Sequence, residues 1–281
     1  MSLLLNRVDK IKIGFVGVGN MATAIIKALI DSNTLKPEMI FVTNRSEGKL
    51  EKVKAKYGVN SYRTNEELVD ECDVIFAGMK PQDFVDAFEP IAKSFTSEKM
   101  FISLAAGITL KQINKLIPDV KNIVRIMPNT PAKINQAVVG YCLTKAAEVY
   151  EDLICQFLNP LGYVVKIEEG EEFEALTVAS GSGIGFVFEL MMYWQEWLEE
   201  HGFSSEEARK ITVETFLGGA LLASQQEETS IEDLQRQVVS KKGVTHAGLE
   251  SMRELEVERA LRYSFEKAVL RDRSLGLNNG D

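Results

Sequence analysis

Six residues near the amino terminus, Gly17-Val18-Gly19-Asn20-Met21-Ala22, have the types and spacing that suit phosphate chemistry. They match GxGxxA, a pattern in which each small residue has its own physical task. Gly17 permits a tight turn, Gly19 lets the backbone come close to a pyrophosphate, and Ala22 lets the next helix pack against a sheet. The pyrophosphate then rests on the positive amino terminus of that helix. The pattern has this meaning only between a strand and a helix, since taken alone it also describes a tight turn without ligand. Here an apolar run ends at Val16, and NMATAIIKALIDS follows with apolar residues at helical spacing.

The end of the second apolar run bears on which dinucleotide would bind. A site for NAD usually carries Asp or Glu there to hold the ribose hydroxyls, whereas this chain reads Thr43-Asn44-Arg45-Ser46. The segment has no carboxylate to repel a phosphate. Arg45 can hold a 2′-phosphate by charge-assisted hydrogen bonds, with Asn44 and Ser46 as neutral donors, an arrangement worth about 1.5–3 kcal/mol. NADPH is the expected cofactor, against the plainer reading of Arg45 as a solvated loop residue.

Four further stretches stand out: Met79-Lys80-Pro81, Ala105-Ala106-Gly107, Arg125-Ile126-Met127-Pro128-Asn129-Thr130-Pro131 and Ser180-Gly181-Ser182-Gly183. Three follow expected strands, where an open α/β sheet presents its ligand-binding loops. The glycines of the fourth fall inside an apolar helical pattern, where each costs about 1 kcal/mol relative to alanine. Close packing or backbone approach to a ligand must compensate.

The elements that position these residues follow from periodicity. Apolar runs ending at Val16 and spanning residues 39–43, 73–77, 100–104, 122–126, 137–143 and 163–167 read as strands. Helical stretches separate them, including 47–57 and 145–158. Strands alternating with helices imply a mainly parallel Rossmann-type sheet covered on both faces. Beyond Glu168 the β pattern stops, and residues 171–200, 205–226 and 245–270 read as helices. Ser204 and Glu207 form a capping-box signature for one of them. The expected division is therefore 1–168 for the dinucleotide-binding domain and 169–281 for an all-α domain.

Composition excludes several classes. The 281 residues are 45% hydrophobic and 26% charged, ordinary values for a folded chain. A net charge of -9 argues against a partner bound through its phosphate backbone, so no nucleic acid is expected and an anionic ligand needs local donors. Cys72, Cys142 and Cys155 are too widely spaced for a CxxC metal or redox pair, and no metal site is expected. The first residues lack the apolar core of a secretory signal, and no stretch of about 18 uninterrupted apolar residues occurs. The expectation is a cytoplasmic protein without membrane association. The aromatic and Met-rich run from Phe186 to Trp197 reads as core or dimer surface.

Taken in order with Leu234-Gln235-Arg236-Gln237-Val238-Val239-Ser240 and Gly243-Val244-Thr245, these stretches resemble pyrroline-5-carboxylate reductase over almost the whole chain. The GxGNMA start, the RxMPNTP segment and the SGSG helix carry the resemblance. It implies NAD(P)H-dependent reduction of the cyclic imine 1-pyrroline-5-carboxylate to L-proline. It also implies a helical second domain that forms a homodimer, with further assembly to a decamer. By the same resemblance, cofactor contacts fall on Val16, Gly17, Val18, Gly19, Asn20 and Met21, on Asn44, Arg45 and Ser46, and on Asn65, Met79, Lys80 and Ala106. The substrate loop falls on Gly243, Val244 and Thr245, with the Thr245 hydroxyl as the partner of the reacting nitrogen and backbone amides holding the carboxylate. Gln237 and Glu228 align as further substrate contacts.

The chain departs from the family at two places. Where SPGGTT and SGSGPA are usual, it reads Ser240-Lys241-Lys242-Gly243-Val244-Thr245 and Ser180-Gly181-Ser182-Gly183-Ile184-Gly185. Lys241 and Lys242 either add charge for the substrate carboxylate or mark a site for a different cyclic imino acid. Thr245 has a plain alternative as N-cap of the last helix, and His246 as a neighbour of that cap rather than a general acid. A protonated cyclic imine is already electrophilic, so its reduction needs orientation, a polar partner at nitrogen and exclusion of water. Orientation alone can supply about 7–11 kcal/mol, which suits a chain with only two histidines. Two other readings compete. A β-hydroxyacid dehydrogenase type would need a lysine early in the helical domain, and none lies between Lys166 and Lys210. A non-catalytic NADP-binding regulatory protein would keep the fold without the reaction.

Overall fold

The computed structural model describes residues 10–277. Eight strands form one sheet: β1 (Ile13–Val16), β2 (Ile40–Thr43), β3 (Asn60–Ser61), β4 (Val74–Ala77), β5 (Met100–Ser103), β6 (Asn122–Pro128), β7 (Ala137–Leu143) and β8 (Gly162–Lys166). Their order is β3-β2-β1-β4-β5-β6-β7-β8, with every neighbouring pair parallel except β6 and β7. The antiparallel pair is joined by the short 3-10 turn Thr130–Ile134, too little chain for the crossover that a parallel pair requires. The two-residue β3 was not legible as a strand, because Asn60 and Ser61 carry no apolar signal.

Alternation within each strand sends side chains to two separate cores. Ile13, Phe15, Val74, Phe76, Met100, Ile102, Val124 and Ile126 enter one core, which also holds the apolar side of α1 (Asn20–Asp31). Val16, Ile75, Ala77, Phe101 and Ile123 enter the other, beneath α3 (Asn65–Glu71), α4 (Phe84–Phe88) and α5 (Leu110–Leu116). Burial on both faces is why these strands read as unbroken apolar runs. Phe15 stacks on Phe76 at 4.6 Å, and Phe84, Phe88, Phe95 and Phe101 meet edge to face in the second core. The remaining sheet-domain helices are α2 (Glu47–Tyr57) and α6 (Glu151–Leu158), the latter preceded by a 3-10 segment from Lys145.

Beyond the sheet the chain is helical: α7 (Glu171–Leu176), a π-helical segment Thr177–Ser182, α8 (Gly183–Glu200), α9 (Ser205–Gln225), α10 (Ile231–Gln237), α11 (Val244–Glu254) and α12 (Val257–Leu277). The Ser204–Glu207 capping box is present, the Ser204 hydroxyl accepting from the Glu207 N–H while the Glu207 carboxylate accepts from the Ser204 N–H. Residues 245–270, which read as one helix, are two, because Glu256 takes a left-handed conformation at φ 53°. No Gly or Pro marks that break in the sequence. The short α10 was also missed.

By internal contacts the chain forms two compact units. One contains the described residues up to Ser182 together with those from Ala268, and the other is Gly183–Lys267. The sequence boundary at Glu168 falls before α7 instead, at the point where the β pattern stops. Within the second unit Trp194 meets Phe216 edge to face at 5.3 Å, and Phe186 lies 5.5 Å from Phe265. Much of its apolar surface is nevertheless exposed, including Phe188, Met192, Tyr193, Trp194 and Trp197 of α8 and Leu217, Leu221 and Leu222 of α9. The Phe186–Trp197 run is thus largely surface in the single chain.

Candidate functional site

The order of strands reverses direction between β1 and β4, and at such a switch point the loops after the two strands diverge and leave a crevice. A cleft of about 710 Å³ lies at the loops that follow these two strands. The turn after β1 forms its floor. Gly17 there has φ 90°, a conformation few residues other than glycine adopt, and its N–H donates to the Thr43 carbonyl at 2.9 Å. Gly19 is the N-cap of α1 in an extended conformation, without a side-chain cap and without an acidic residue in the first turn. The first N–H groups of the helix have no partner within the helix and form a donor set for an anion.

The turn is held by its neighbours. The Asn44 side chain accepts from the Val18 N–H at 3.3 Å and donates to the Ser46 carbonyl at 3.0 Å, which ties the end of β2 to the glycine loop. Thr43 donates its hydroxyl to the Asn65 side-chain carbonyl at 2.8 Å, fixing which way that amide faces. Asn65 in turn opens α3, whose N-cap Thr64 forms a capping box with Glu67. On the β4 side, Gly78 comes so close to the turn that a Cβ there would lie 2.5 Å from the Gly17 carbonyl oxygen and 2.8 Å from the Ala22 Cβ. Ala22 therefore packs against Gly78, and both must stay small.

The structure brings most of the expected cofactor residues to this cleft. Val16, Gly17, Val18, Gly19, Asn44, Arg45, Asn65, Met79 and Lys80 line it. Asn20 and Met21 lie in the first turn of α1, and Ser46 is the N-cap of α2. Ala106 lies beyond β5, packed against the small cluster of Met127, Cys142 and Phe173. Sequence reasoning missed Lys49, Gly78, Gln82, Asp83, Asp86 and Ala87, which also line the cleft. A glycine that ends an apolar strand just before Met79-Lys80-Pro81 was a signal for Gly78. Nothing local could have pointed to Asp83, whose carboxylate pairs with Arg45 at 3.0 Å. The segment Thr43–Ser46 contains no carboxylate, but the fold brings one to Arg45.

The RxMPNTP and SGSG stretches meet within the first unit. Asn129 is buried and donates to the Ser180 hydroxyl at 3.0 Å and its carbonyl at 3.4 Å, while accepting from the Val138 N–H at 3.0 Å. Ser180 and Gly181 belong to the π-helical segment, a local widening of the helix that is frequent at functional sites, and Gly183 follows it as the first residue of α8. Arg125 is buried too, pairing with Glu169 at 2.7 Å and lying 4.0 Å over the Phe173 ring. It braces β6 against α7 and does not line the cleft.

The expected substrate residues all belong to the second unit. Glu228 lies in the connection before α10 and Gln237 closes that helix, both exposed. Gly243 is the N-cap of α11, with Val244 and Thr245 as its first two residues. Thr245 as N-cap is thereby corrected: the cap is one glycine, without a side-chain bond, and the Thr245 hydroxyl is not engaged in capping. The cap shifted because Lys242 takes φ 58° and turns the chain into the helix earlier. His246 lies 3.4 Å from Glu250 one turn along the helix. Among the described residues no group of three or more His, Cys, Asp or Glu could hold a metal ion.

Comparison with known proteins supplies the family. Residues 170–275 match the family model described as pyrroline-5-carboxylate reductase dimerisation, and residues 12–107 match that described as NADP oxidoreductase coenzyme F420-dependent. The first match covers the stretch Glu171–Glu200, a helical run long and apolar enough to cross a membrane by length and composition. The dimerisation match supports homo-oligomerisation, which would cover exposed apolar side chains of this run. The chain is 32% identical to pyrroline-5-carboxylate reductase 3 of Danio rerio, over 96% of this chain and 93% of that one. It is also 32% identical to a pyrroline-5-carboxylate reductase of Haemophilus influenzae, over 84% and 87%. The solved structure of a pyrroline-5-carboxylate reductase from Coxiella burnetii superposes with a TM-score of 0.86 at 30% identity, covering 95% of this chain and 98% of that one. With two glycine loops facing one cleft at the switch point and relatives matching from end to end, this chain belongs to the pyrroline-5-carboxylate reductase family.

Proposed function

We propose that the protein reduces 1-pyrroline-5-carboxylate to L-proline, in proline synthesis, with NADPH preferred over NADH. The observation that carries the reading is the cleft at the β1–β4 switch point, lined by Arg45, Lys49 and Lys80 in a chain of net charge -9. The left-handed Gly17 and the uncapped start of α1 fit a pyrophosphate, and the residues around Arg45 fit a 2′-phosphate. Asn20 and Met21 would offer N–H groups to the pyrophosphate, and Asn44 and Ser46 would join Arg45 at the phosphate. Asn65, Met79, Lys80 and Ala106 would flank the rest of the dinucleotide. When bound, the cofactor supplies a hydride to the imine carbon.

The protein's own share is orientation. The Thr245 hydroxyl pairs with the reacting nitrogen, and the N–H groups at the start of α11, from Gly243 to Thr245, hold the carboxylate. Gln237 and Glu228 are further substrate contacts, and Lys241 and Lys242 add positive charge beside the loop. A protonated imine needs no stronger acid, so His246 has no proton-transfer role. The working form is a cytoplasmic homodimer built through the helical region, assembling further to a decamer.

Purified protein should consume NADPH steadily in the presence of 1-pyrroline-5-carboxylate. Cofactor binding without turnover would favour a non-catalytic regulatory role. Thr245→Ala should lower kcat/KM by about tenfold or more, from the 1.5–3 kcal/mol of a hydrogen bond to a charged group. Unchanged kcat/KM would remove Thr245 from the site.

A further inference from the structure

Arg45 follows β2 on one wall of the cleft, and Asp83 closes the 3-10 turn Pro81–Asp83 on the wall after β4. Their ion pair, Nη2 to Oδ2 at 3.0 Å, bridges the two walls. The partners differ in freedom: the Arg45 side chain is 85% exposed, whereas that of Asp83 is 27% exposed and held by a proline-led turn. We propose that Asp83 is a specificity-determining residue, a fixed negative charge that narrows the preference for NADPH over NADH by sharing Arg45 with the 2′-phosphate. The inference rests on the reading of Arg45 given above.

A guanidinium carries five N–H donors in a planar fork, so Asp83 on Nη2 leaves others for a phosphate. Arg45 can therefore serve both anions, and Asp83 sets the direction in which the fork points. The same arrangement places a carboxylate within one guanidinium's width of a group carrying close to two negative charges, and like charges at that range repel. NADH presents a neutral hydroxyl at the same place and escapes most of this repulsion. Lys49, which also lines the cleft, offsets part of it for NADPH. Exposure of Arg45 keeps the effect small, in the range found for solvated ion pairs, about two- to fivefold in affinity.

Asp86 supplies an internal control, because it lines the same wall and forms no ion pair with Arg45 among the described contacts. The test is equilibrium titration of the full-length protein with NADPH and with NADH, followed by protein fluorescence at low salt, with melting curves to verify folding. Asp83→Asn keeps an oxygen for Arg45 and removes the charge. Its Kd for NADPH should fall about two- to fivefold while that for NADH stays constant, and the gain should shrink in high salt. Asp83→Ser, which also removes the charge, gives the same direction should the first variant not fold. An unchanged or raised Kd for NADPH, an equal gain for NADH, or an equal gain from Asp86→Asn would overturn the proposal. Arg45→Glu measured alongside separates the two failures. Selective loss of NADPH binding with no response to Asp83→Asn removes only the role of Asp83, whereas equal loss of both cofactors removes the reading of Arg45 as well.

Discussion

Gly78→Ala tests whether the cofactor turn is built by close approach of two loops. The added methyl would meet the Gly17 carbonyl oxygen at 2.5 Å and the Ala22 Cβ at 2.8 Å. Carbon atoms meet favourably at roughly 3.5 Å, so the β1 turn or α1 must retreat by about 0.7 Å. Neither neighbour is a flexible side-chain end: one is backbone in the left-handed turn and the other is a fully buried alanine. Overpacking of this kind costs about 1–3 kcal/mol, and at about 2–4 °C per kcal/mol the melting temperature should fall by about 2–12 °C. NADPH binding should weaken with it, because the displaced turn carries the N–H groups proposed to face the pyrophosphate. Gly19→Ala is the contrasting variant. Its methyl meets only the Gly78 carbonyl oxygen at 3.3 Å, and its backbone at φ -70° accepts alanine, so stability should stay within about 0.5 kcal/mol. Its NADPH affinity should nevertheless drop, since the methyl would stand in the space proposed for the pyrophosphate. Differential scanning calorimetry with cofactor titration checks both. A Gly78→Ala protein that melts and binds like wild type would refute the close-approach argument, and normal NADPH binding by Gly19→Ala would remove Gly19 from the pyrophosphate.

Three further expectations concern separate parts of the molecule. Arg45→Glu should weaken NADPH binding far more than NADH binding in parallel titrations, because a second carboxylate would then stand beside Asp83. Asn129→Ala strands the Val138 N–H and frees Ser180, so it should cost about 1–3 kcal/mol in chemical denaturation and lower turnover through the π-helical segment. Burial pushes the thiols of Cys72 and Cys142 up to about 12 from an ordinary 9.0, so neither should be alkylated by iodoacetamide at neutral pH until the protein unfolds. Because the folded-state values lie above the unfolded ones, these thiols contribute stability that is complete below pH 9.0 and lost as pH rises toward about 12. Stability that stays level across that alkaline range in wild type would contradict the assignment.

The Rossmann-type sheet was legible because its strands are buried on both faces and read as apolar runs, and because GxGxxA sits between the first of them and a helix. The residues that line the cleft at the β1 turn were legible for the same reason: the pattern is local, and Gly17, Gly19 and Asn44 lie within a short reach of their own strands. What the sequence hid was contact at a distance. Asp83 reaches Arg45 only after the chain has passed through α2, β3, α3 and β4, and no spacing rule links the two. Gly78 directly follows a strand, and its size constraint comes from a turn far earlier in the chain. The break at Glu256 was invisible because a glutamate, not a glycine, takes the left-handed conformation there. The π-helical segment Thr177–Ser182 was half visible, as glycines out of place in an apolar helix. The mistaken cap at Thr245 came from weighing side-chain chemistry over backbone freedom, for the chain turns at Lys242 and begins its helix from Gly243.

Hydride transfer to the imine carbon can be followed atom by atom. NADPH deuterated at the transferable position of its nicotinamide ring, incubated with the protein and 1-pyrroline-5-carboxylate, should yield L-proline with one deuterium on the ring carbon that was doubly bonded to nitrogen. Proline free of deuterium at that carbon, or cofactor that stays reduced in the presence of the imine, would contradict the account.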